Sequence, residues 1–213
     1  MGQRASRCPK KEDEEGAMGH EKQPYVLVIV GPSGVGKGTL ISALMTTDDP
    51  SPFAFSVSHT TRDPRPGEMD GCHYHFTTKE AFEAEIAAGK FSEHAYVHGN
   101  IYGTSFKAVE HVQKDNKCCV LDIDVQGARQ VKASPLKAMI VFIETPDVKT
   151  LEKRLRGRGT ETEEQIRLRT ANSLAEMESV KNERGLYDAV LTNDDFKECL
   201  EALRAVAATA LRG

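Results

Sequence analysis

The sequence predicts an α/β fold in which a parallel β-sheet is covered by helices on both faces. Four short apolar runs, at 25–30, 118–123, 138–143 and 189–191, are separated by segments with helical patterning. Buried parallel strands are near-continuous apolar runs, and their alternation with helices is typical of crossover connections. A glycine-rich turn lies between the first run and the first helical pattern, where parallel sheets commonly bind ligands.

Length and composition limit the classes of protein to consider. The chain has 213 residues, which suits one domain, and 39% of them are hydrophobic. Its 28 basic and 32 acidic residues give a net charge of −4, which argues against a protein that coats nucleic acid. No apolar run approaches the roughly 18 residues of a membrane span. The number of cysteines, five, is odd, and the sequence contains no C-x-x-C motif. We therefore expect reduced thiols in a cytoplasmic protein.

Residues 1–24 differ in composition from the rest of the chain. They are charged and lack apolar periodicity, which predicts a disordered tail. The first six residues fit the M-G-x-x-x-[ST] pattern for myristoylation at Gly2, and Cys8 offers a second acylation site. The alternative is a solvated tail without lipid. We therefore expect membrane association only if the N-terminus is lipidated.

The domain predicted over 25–213 divides into a core and an insertion. A helix is predicted over 39–45, directly after the glycine-rich turn. The stretch 57–107 breaks the strand–helix rhythm and is rich in Thr, Arg, Pro, Gly, His and Tyr, so we interpret it as an inserted lobe. The core then comprises 25–56 and 108–213.

Capping residues predict the helices of the second half. Thr145 is the expected N-cap of a helix that continues with Pro146 at N1 and an acid in the first turn. Thr162 and Gln165 form a capping box that opens the next helix. Asn193 is the expected N-cap of the last helix, whose apolar residues recur at helical spacing.

The glycine-rich turn has the spacing of a phosphate-binding loop. Residues 31–37 read Gly-Pro-Ser-Gly-Val-Gly-Lys, which is G-x-x-x-x-G-K between a strand and a helix. Its backbone N–H groups and the helix N-terminus favour an anion, and Lys37 would reach the β- and γ-phosphates of a nucleotide. A plain glycine turn is the alternative. The predicted ATP site comprises Gly31, Pro32, Ser33, Gly34, Val35, Gly36, Lys37, Gly38 and Thr39.

The residue after Lys37 is Gly38, where a standard phosphate loop has the Ser or Thr that binds Mg²⁺. Thr39 follows one place later and is a candidate ligand, with phosphates and water as the alternative. The second strand ends with Asp122 and Asp124, and an acid there commonly faces the metal. We expect only one of the two to face the metal. Helix capping is the alternative for either.

Gly-Lys-Gly-Thr at 36–39 resembles the loop of adenylate and other nucleoside monophosphate kinases. The guanine-selective N-K-x-D of GTPases is missing, because Asn-Lys at 116–117 is followed by two cysteines. Both observations favour a kinase over a GTPase.

The inserted lobe has a second candidate anion site. Residues 58–76 contain Arg62 and Arg65 three apart, followed by Glu68, Gly71 and a Tyr-x-Phe ending. Paired arginines with tyrosine and hydroxyl groups suit a phosphate. This stretch resembles the guanylate kinase signature T-[ST]-R-x-x-[KR]-x-x-[DE]-x-x-G-x-x-Y-x-[FY] at every specified position. The resemblance to that family covers about 25–211.

The resemblance implies a GMP site within the lobe and beside the second strand. Glu93 and Thr104 would recognise guanine, because a carboxylate accepts from its N1–H and N2–H₂ groups while a hydroxyl donates to O6. Taken alone, Glu93 would be an ordinary surface acid. The residues assigned to GMP by the resemblance are Ser58, Arg62, Arg65, Glu68, Tyr74, Glu93, Tyr102, Gly103, Thr104, Asp122 and Asp124.

An arginine-rich stretch at about 155–170 resembles the lid of the same family. The resemblance places Arg154, Arg158 and Arg169 on the transferring phosphates, with Lys37 and Arg62, and Asn193 near adenine. Alone, the stretch is also typical of a solvated pair of charged helices. Glycines at 157 and 159 would serve as hinges.

These interpretations predict an enzyme that transfers the γ-phosphate of ATP to GMP, with Mg²⁺ held by Thr39 and Asp122. We expect a monomer or weak dimer that binds no nucleic acid. One alternative is a guanylate-kinase-like interaction module without catalysis, although such modules have eroded loops and lids. The other is a kinase for a different nucleoside monophosphate.

Overall fold

The structure is a computed structural model that describes residues 25–46, 50–97, 99–157, 162–183 and 185–212. The predicted tail with Gly2 and Cys8, the lid residue Arg158 and the hinge at 159 lie outside these ranges. In chain order the elements are β1 (Val26–Val30), α1 (Lys37–Met45), β2 (Phe53–Phe55), β3 (His59–Thr60), β4 (His75–Phe76), α2 (Lys79–Ala87), β5 (Phe91–Val97), β6 (Asn100–Ser105), α3 (Phe106–Lys114), β7 (Cys118–Asp122), α4 (Val125–Ala133), β8 (Ala138–Glu144), α5 (Val148–Gly157), α6 (Glu163–Asn182), β9 (Ala189–Thr192) and α7 (Phe196–Arg212).

The core is a parallel sheet covered by helices, as the sequence predicted, and its five strands run in the order β2-β7-β1-β8-β9. Every residue of the central strand β1 is buried because helices cover both faces. Leu27 and Ile29 face the helices α1, α5 and α7, whereas Val26, Val28 and Val30 face α3 and α4. The short edge strand β2 was not predicted from the sequence.

The inserted segment forms a second sheet in the order β4-β3-β6-β5. Strands β3 and β4 are parallel, and the other pairings are antiparallel. Phe82 of α2 is fully buried and stacks on Phe91 of β5, with ring centroids 4.4 Å apart. A separate sheet with its own aromatic contacts agrees with the interpretation of an inserted lobe.

Two predicted helix caps are wrong by a few residues. The carboxylate of Asp147 caps α5 by accepting from the N–H of Thr150 at 2.6 Å, whereas the Thr145 hydroxyl donates to the carbonyl of Asp147. Asp195 caps α7 by accepting from the N–H groups of 197 and 198, and Asn193 does not cap it. An N-cap must directly precede the first helical turn, and both aspartates occupy that position.

The longest helix, α6, begins with the predicted capping box. The Thr162 N–H donates to Gln165 Oε1 at 2.9 Å, and the Gln165 N–H donates to Thr162 Oγ1 at 3.3 Å. This reciprocal pair confirms the sequence prediction. Neither α6 nor any other helix in the described ranges is long and apolar enough to cross a membrane.

The cysteines follow the prediction of reduced thiols only in part. Cys118, Cys119 and Cys199 are buried free thiols, and burial raises the pKa of Cys118 and of Cys119 to about 12. They act as small apolar side chains in the core. Cys72 is disulfide-bonded, so the prediction is wrong at this position.

Candidate active site

The phosphate-binding loop lies between β1 and α1, at the carboxyl end of the parallel sheet. Gly31, Gly34 and Gly36 have φ angles of +144°, +96° and +98°, which side chains disfavour. A Cβ at Gly31 would lie 2.2 Å from the carbonyl oxygen of Ile143, which is backbone of β8. Glycine is therefore required where the loop leaves the sheet.

We expect Gly31→Ala to destabilise the protein by more than about 2 kcal/mol, because neither the dihedral nor the β8 carbonyl can adjust without disturbing the sheet. Gly89→Ala is the matched control, since Gly89 also has a positive φ of +68° but open space around it. Urea unfolding measures both free energies. Equal losses in the two variants would contradict the close-contact argument.

Lys37 and Asp122 meet at this loop, as predicted. The Lys37 ammonium donates to the carbonyl oxygens of Gly31 and Pro32, and its Nζ lies 3.9 Å from Asp122 Oδ1. The strand pairing of Ile29 with Asp122 places the carboxylate beside the loop. Burial raises the pKa of Asp122, while the Lys37 charge opposes that rise. Lys37 thus supplies a positive charge at the mouth of the loop.

Asp124 has the helix-capping role that was its alternative interpretation. Its Oδ1 accepts from the N–H of Gly127 at 2.8 Å, which fixes the first turn of α4. Asp122 therefore lies near Lys37, whereas Asp124 lies beyond the end of β7 and begins the next helix, so strand alternation does not relate the two. That one of them faces a metal ion stays a prediction. A contact of Asp124 with GMP remains a prediction.

A carboxyl group on α6 was missed by the sequence analysis. Burial raises the pKa of Glu176, the Lys37 charge lowers it, and the Asp124 charge adds to the rise. Glu176 follows Arg169 by seven residues, so the two share one face of the helix. That spacing was the available signal for its presence near the loop.

Two of the three predicted lid arginines contact the loop or its neighbours. Arg169 donates to Ser33 Oγ at 2.9 Å. Arg154 donates to the carbonyl of Val35 at 3.3 Å and to that of Asn193 at 2.8 Å. These contacts argue against a purely solvated pair of helices. Asn193 is buried, and its side-chain amide donates to Val35 at 2.7 Å, so its contact with adenine remains a prediction.

The lobe brings together three residues of the predicted phosphate site, Arg62, Arg65 and Glu68. Both Nη atoms of Arg62 donate to the Glu68 carboxylate at 3.0 Å, and the Arg65 backbone N–H donates to it at 2.7 Å. The Arg62 hydrogen bonds lower the pKa of Glu68. The guanidinium also lies 5.6 Å from the centre of the Tyr74 ring. Glu68 therefore orients Arg62 directly and Arg65 through its backbone.

The two predicted guanine-recognising residues are paired across neighbouring strands. Glu93 of β5 lies opposite Thr104 of β6, and both are buried, with exposed fractions of 5% and 1%. Burial raises the pKa of Glu93, the Thr104 hydrogen bond opposes that rise, and Asp124 adds to it. A Cβ at Gly103 would lie 2.6 Å from the Glu93 carbonyl oxygen. Ser58 Oγ lies 3.4 Å from Thr104 Oγ1.

The sequence of this chain is similar to those of known proteins. The guanylate kinase family model matches residues 23–210. Guanylate kinase 1 of Oryza sativa subsp. japonica is 56% identical over 190 residues, covering 89% of this chain and 49% of that protein. The guanylate kinase of Sus scrofa is 49% identical over 181 residues, covering 85% of this chain and 90% of that protein.

This chain is also similar to a guanylate kinase of known structure. The crystal structure of guanylate kinase from Anaplasma phagocytophilum matches with a TM-score of 0.61 and 26% identity, covering 89% of this chain and 87% of that one. The chain spans about half the length of the two plant relatives, from Oryza sativa and Arabidopsis thaliana, that it matches at 56% and 55% identity. The matched family model and the relatives covered nearly end to end show that this chain belongs to the guanylate kinase family.

Proposed function

We propose that the protein transfers the γ-phosphoryl group of ATP to GMP, giving ADP and GDP. This proposal rests on the observation of two candidate anion sites that are built from different kinds of residues. One is the glycine loop with Lys37, and the other is the Arg62–Glu68 clamp beside the buried pair Glu93 and Thr104. We further propose that the lobe spans 57–107 and the lid about 155–170.

The proposed reaction needs charge neutralisation more than a base. A phosphate oxygen of GMP is already nucleophilic at pH 7 and would attack the γ-phosphorus in line, with the ADP oxygen as the leaving group. Lys37, Arg154 and Arg169 would stabilise the donor phosphates, and Arg62 would hold the attacking phosphate. Arg158 is assigned to this set by its motif alone.

The residues near the loop suit Mg²⁺. Thr39 lies in the exposed first turn of α1, and Asp122 ends β7 close to Lys37. Hydroxyl and carboxylate oxygens are the ligands that Mg²⁺ prefers, and the ion usually keeps several waters. Within the described ranges no group of three or more His, Cys, Asp or Glu side chains could hold a metal, so substrate phosphates would supply further ligands. Bound Mg²⁺ would neutralise charge on the phosphates.

The intact loop and lid contacts favour catalysis over a non-catalytic interaction module. Arg154 and Arg169 both contact the phosphate-binding loop, and Lys37 donates to the loop carbonyl of Gly31. Glu93 favours guanine over adenine, because adenine would place its N1 lone pair against the carboxylate. The specificity for GMP therefore depends on one buried acid.

An acceptor panel tests the proposal. With ATP as donor and ADP formation as the readout, we expect turnover with GMP to exceed that with AMP, UMP or CMP by at least about 100-fold in kcat/KM. Discrimination of this size follows from leaving polar groups of the site unpaired with the wrong base. Equal use of AMP and GMP would contradict the assignment of Glu93, and no turnover with any acceptor would favour the interaction module.

Three further expectations accompany the proposal. We propose a cytoplasmic location because three of the four cysteines in the described ranges are free thiols, although Cys72 is disulfide-bonded. We also propose a monomer or weak dimer, which sedimentation would test. Myristoylation at Gly2 stays a prediction, and the intact mass of the protein from its own cells would reveal an acyl group.

A further inference from the structure

We propose that Gln130 is a positioning residue for guanine recognition. It holds strand β5 against helix α4 so that the Glu93 carboxylate points at the base. The inference rests on the proposed function, because it concerns how the GMP site is held in shape. Gln130 has no place in the phosphate loop, the arginine clamp or the lid.

The side-chain amide of Gln130 pairs with the backbone of a single residue. Its Nε2 donates to the carbonyl oxygen of His94 at 2.8 Å, and the His94 N–H donates to its Oε1 at 3.0 Å. Strand β5 is the edge of the lobe sheet, so this amide takes the place of a further strand. His94 directly follows Glu93, and the bonds therefore hold the backbone next to the base-recognising carboxylate.

Helix α4 approaches Glu93 at a second point. A Cβ on Gly127 would lie 3.1 Å from Glu93 Oε2, so the helix backbone packs close to the carboxylate. Gly127 precedes Gln130 by three residues, and both lie on the face of α4 that meets β5. The helix begins at Asp124, just after β7 and Asp122. One short helix thus connects the base site to the strand beside Lys37.

An open depression of about 340 Å³ adjoins this amide pair and is lined by Gln130, His94, Ser92 and Phe106, among others. Without the two hydrogen bonds, β5 has room to shift relative to α4, and Glu93 would shift with it. Glutamine alone among residues of this length supplies both a donor and an acceptor.

Kinetics of Gln130→Met, which keeps the length but removes both bonds, test the inference. We expect the KM for GMP to rise about tenfold, while the KM for ATP stays within twofold and kcat within threefold. Lys132→Met on the opposite face of α4 is the matched control, with both constants unchanged. A rise shared equally by ATP and GMP, or no rise, would overturn the positioning role.

A double variant separates a local role from a general loss of structure. If Gln130 acts through Glu93, Gln130→Met should add less than a twofold effect on the KM for GMP in a Glu93→Gln background. If the rise in the KM for GMP in the double variant equals the product of the rises in the two single variants, the inference is overturned. A wild-type protein without GMP turnover would instead refute the proposed function, so the two failures are distinguishable.

A second variant covers the case in which Gln130→Met does not fold. Gln130→Glu keeps the acceptor for the His94 N–H, loses the donor and places a carboxylate oxygen against the His94 carbonyl. We expect equilibrium binding of GMP, measured by calorimetry, to weaken at least threefold while binding of ATP is unchanged. Wild-type affinity for GMP in this variant would count against the inference.

Discussion

Lys37→Ala should lower kcat/KM for the reaction of ATP with GMP by about 10³-fold or more. The ammonium group is the one lysine charge that contacts the loop carbonyls and lies near Asp122 among the described contacts. Removing a preorganised cation from a phosphoryl-transfer site typically costs three or more orders of magnitude, because charge develops where nothing else neutralises it. A coupled assay of ADP formation measures the loss.

Lys114→Ala is the control for Lys37→Ala, because Lys114 is exposed in the last turn of α3. We expect the control to keep wild-type rates. Lys37→Arg should remain strongly impaired, since a planar guanidinium differs in shape from a compact ammonium. A near-normal kcat in Lys37→Ala would contradict the proposed role of the phosphate-binding loop in phosphoryl transfer.

Glu93→Gln should raise the KM for GMP about 100-fold and leave the KM for ATP within twofold. The substitution keeps the shape but replaces the acceptor-only carboxylate with an amide, whose NH₂ group opposes the donors of guanine. Because Glu93 is buried, water cannot replace the lost partner. Glu110→Gln on the exposed surface of α3 is the control and should behave like wild type.

The pH dependence of GMP binding gives a second readout for Glu93. Burial raises the pKa of this carboxyl group above its usual 4.5, so the free protein holds the proton more tightly than an exposed glutamate does. GMP needs the ionised form. Its affinity should therefore fall as pH drops through the raised pKa, beginning above pH 4.5. GMP itself titrates near pH 6 through its phosphate, so only the part of the dependence that Glu93→Gln abolishes belongs to this residue.

The parallel sheet was predictable because its signals are local. Apolar runs identified β1, β7, β8 and β9, and the glycine spacing located the loop between β1 and α1. Strand β2 was missed because it is three residues long and follows Pro52, so it has no periodicity to detect. It joins the sheet only through its pairing with β7, a contact over more than 60 residues of sequence.

The site residues also differ in whether a local sequence signal predicts them. Motif spacing singled out Lys37, Arg62 and Glu68, and the Arg62–Glu68 contact is the one expected. The contact of Lys37 with nucleotide phosphates stays a prediction. The contact of Gln130 with β5 depends on which helix faces which strand, and a single sequence contains no signal for that. For Glu176 the only signal is its seven-residue spacing from Arg169, which indicates a shared helix face but not what that face meets. The capping error at Asn193 has a similar origin, because its amide bonds Val35, which lies 158 residues away.

The second sheet has a consequence for how substrate preference can diverge. Nine of the eleven residues proposed to contact GMP lie in one stretch from Ser58 to Thr104, and the other two, Asp122 and Asp124, follow it, whereas the proposed ATP contacts come from three distant segments. Changes confined to that stretch can alter which nucleotide is phosphorylated while the ATP-binding surface stays intact. Under the proposed function, the choice of acceptor depends mainly on one inserted segment, whereas ATP binding depends on residues spread through the core.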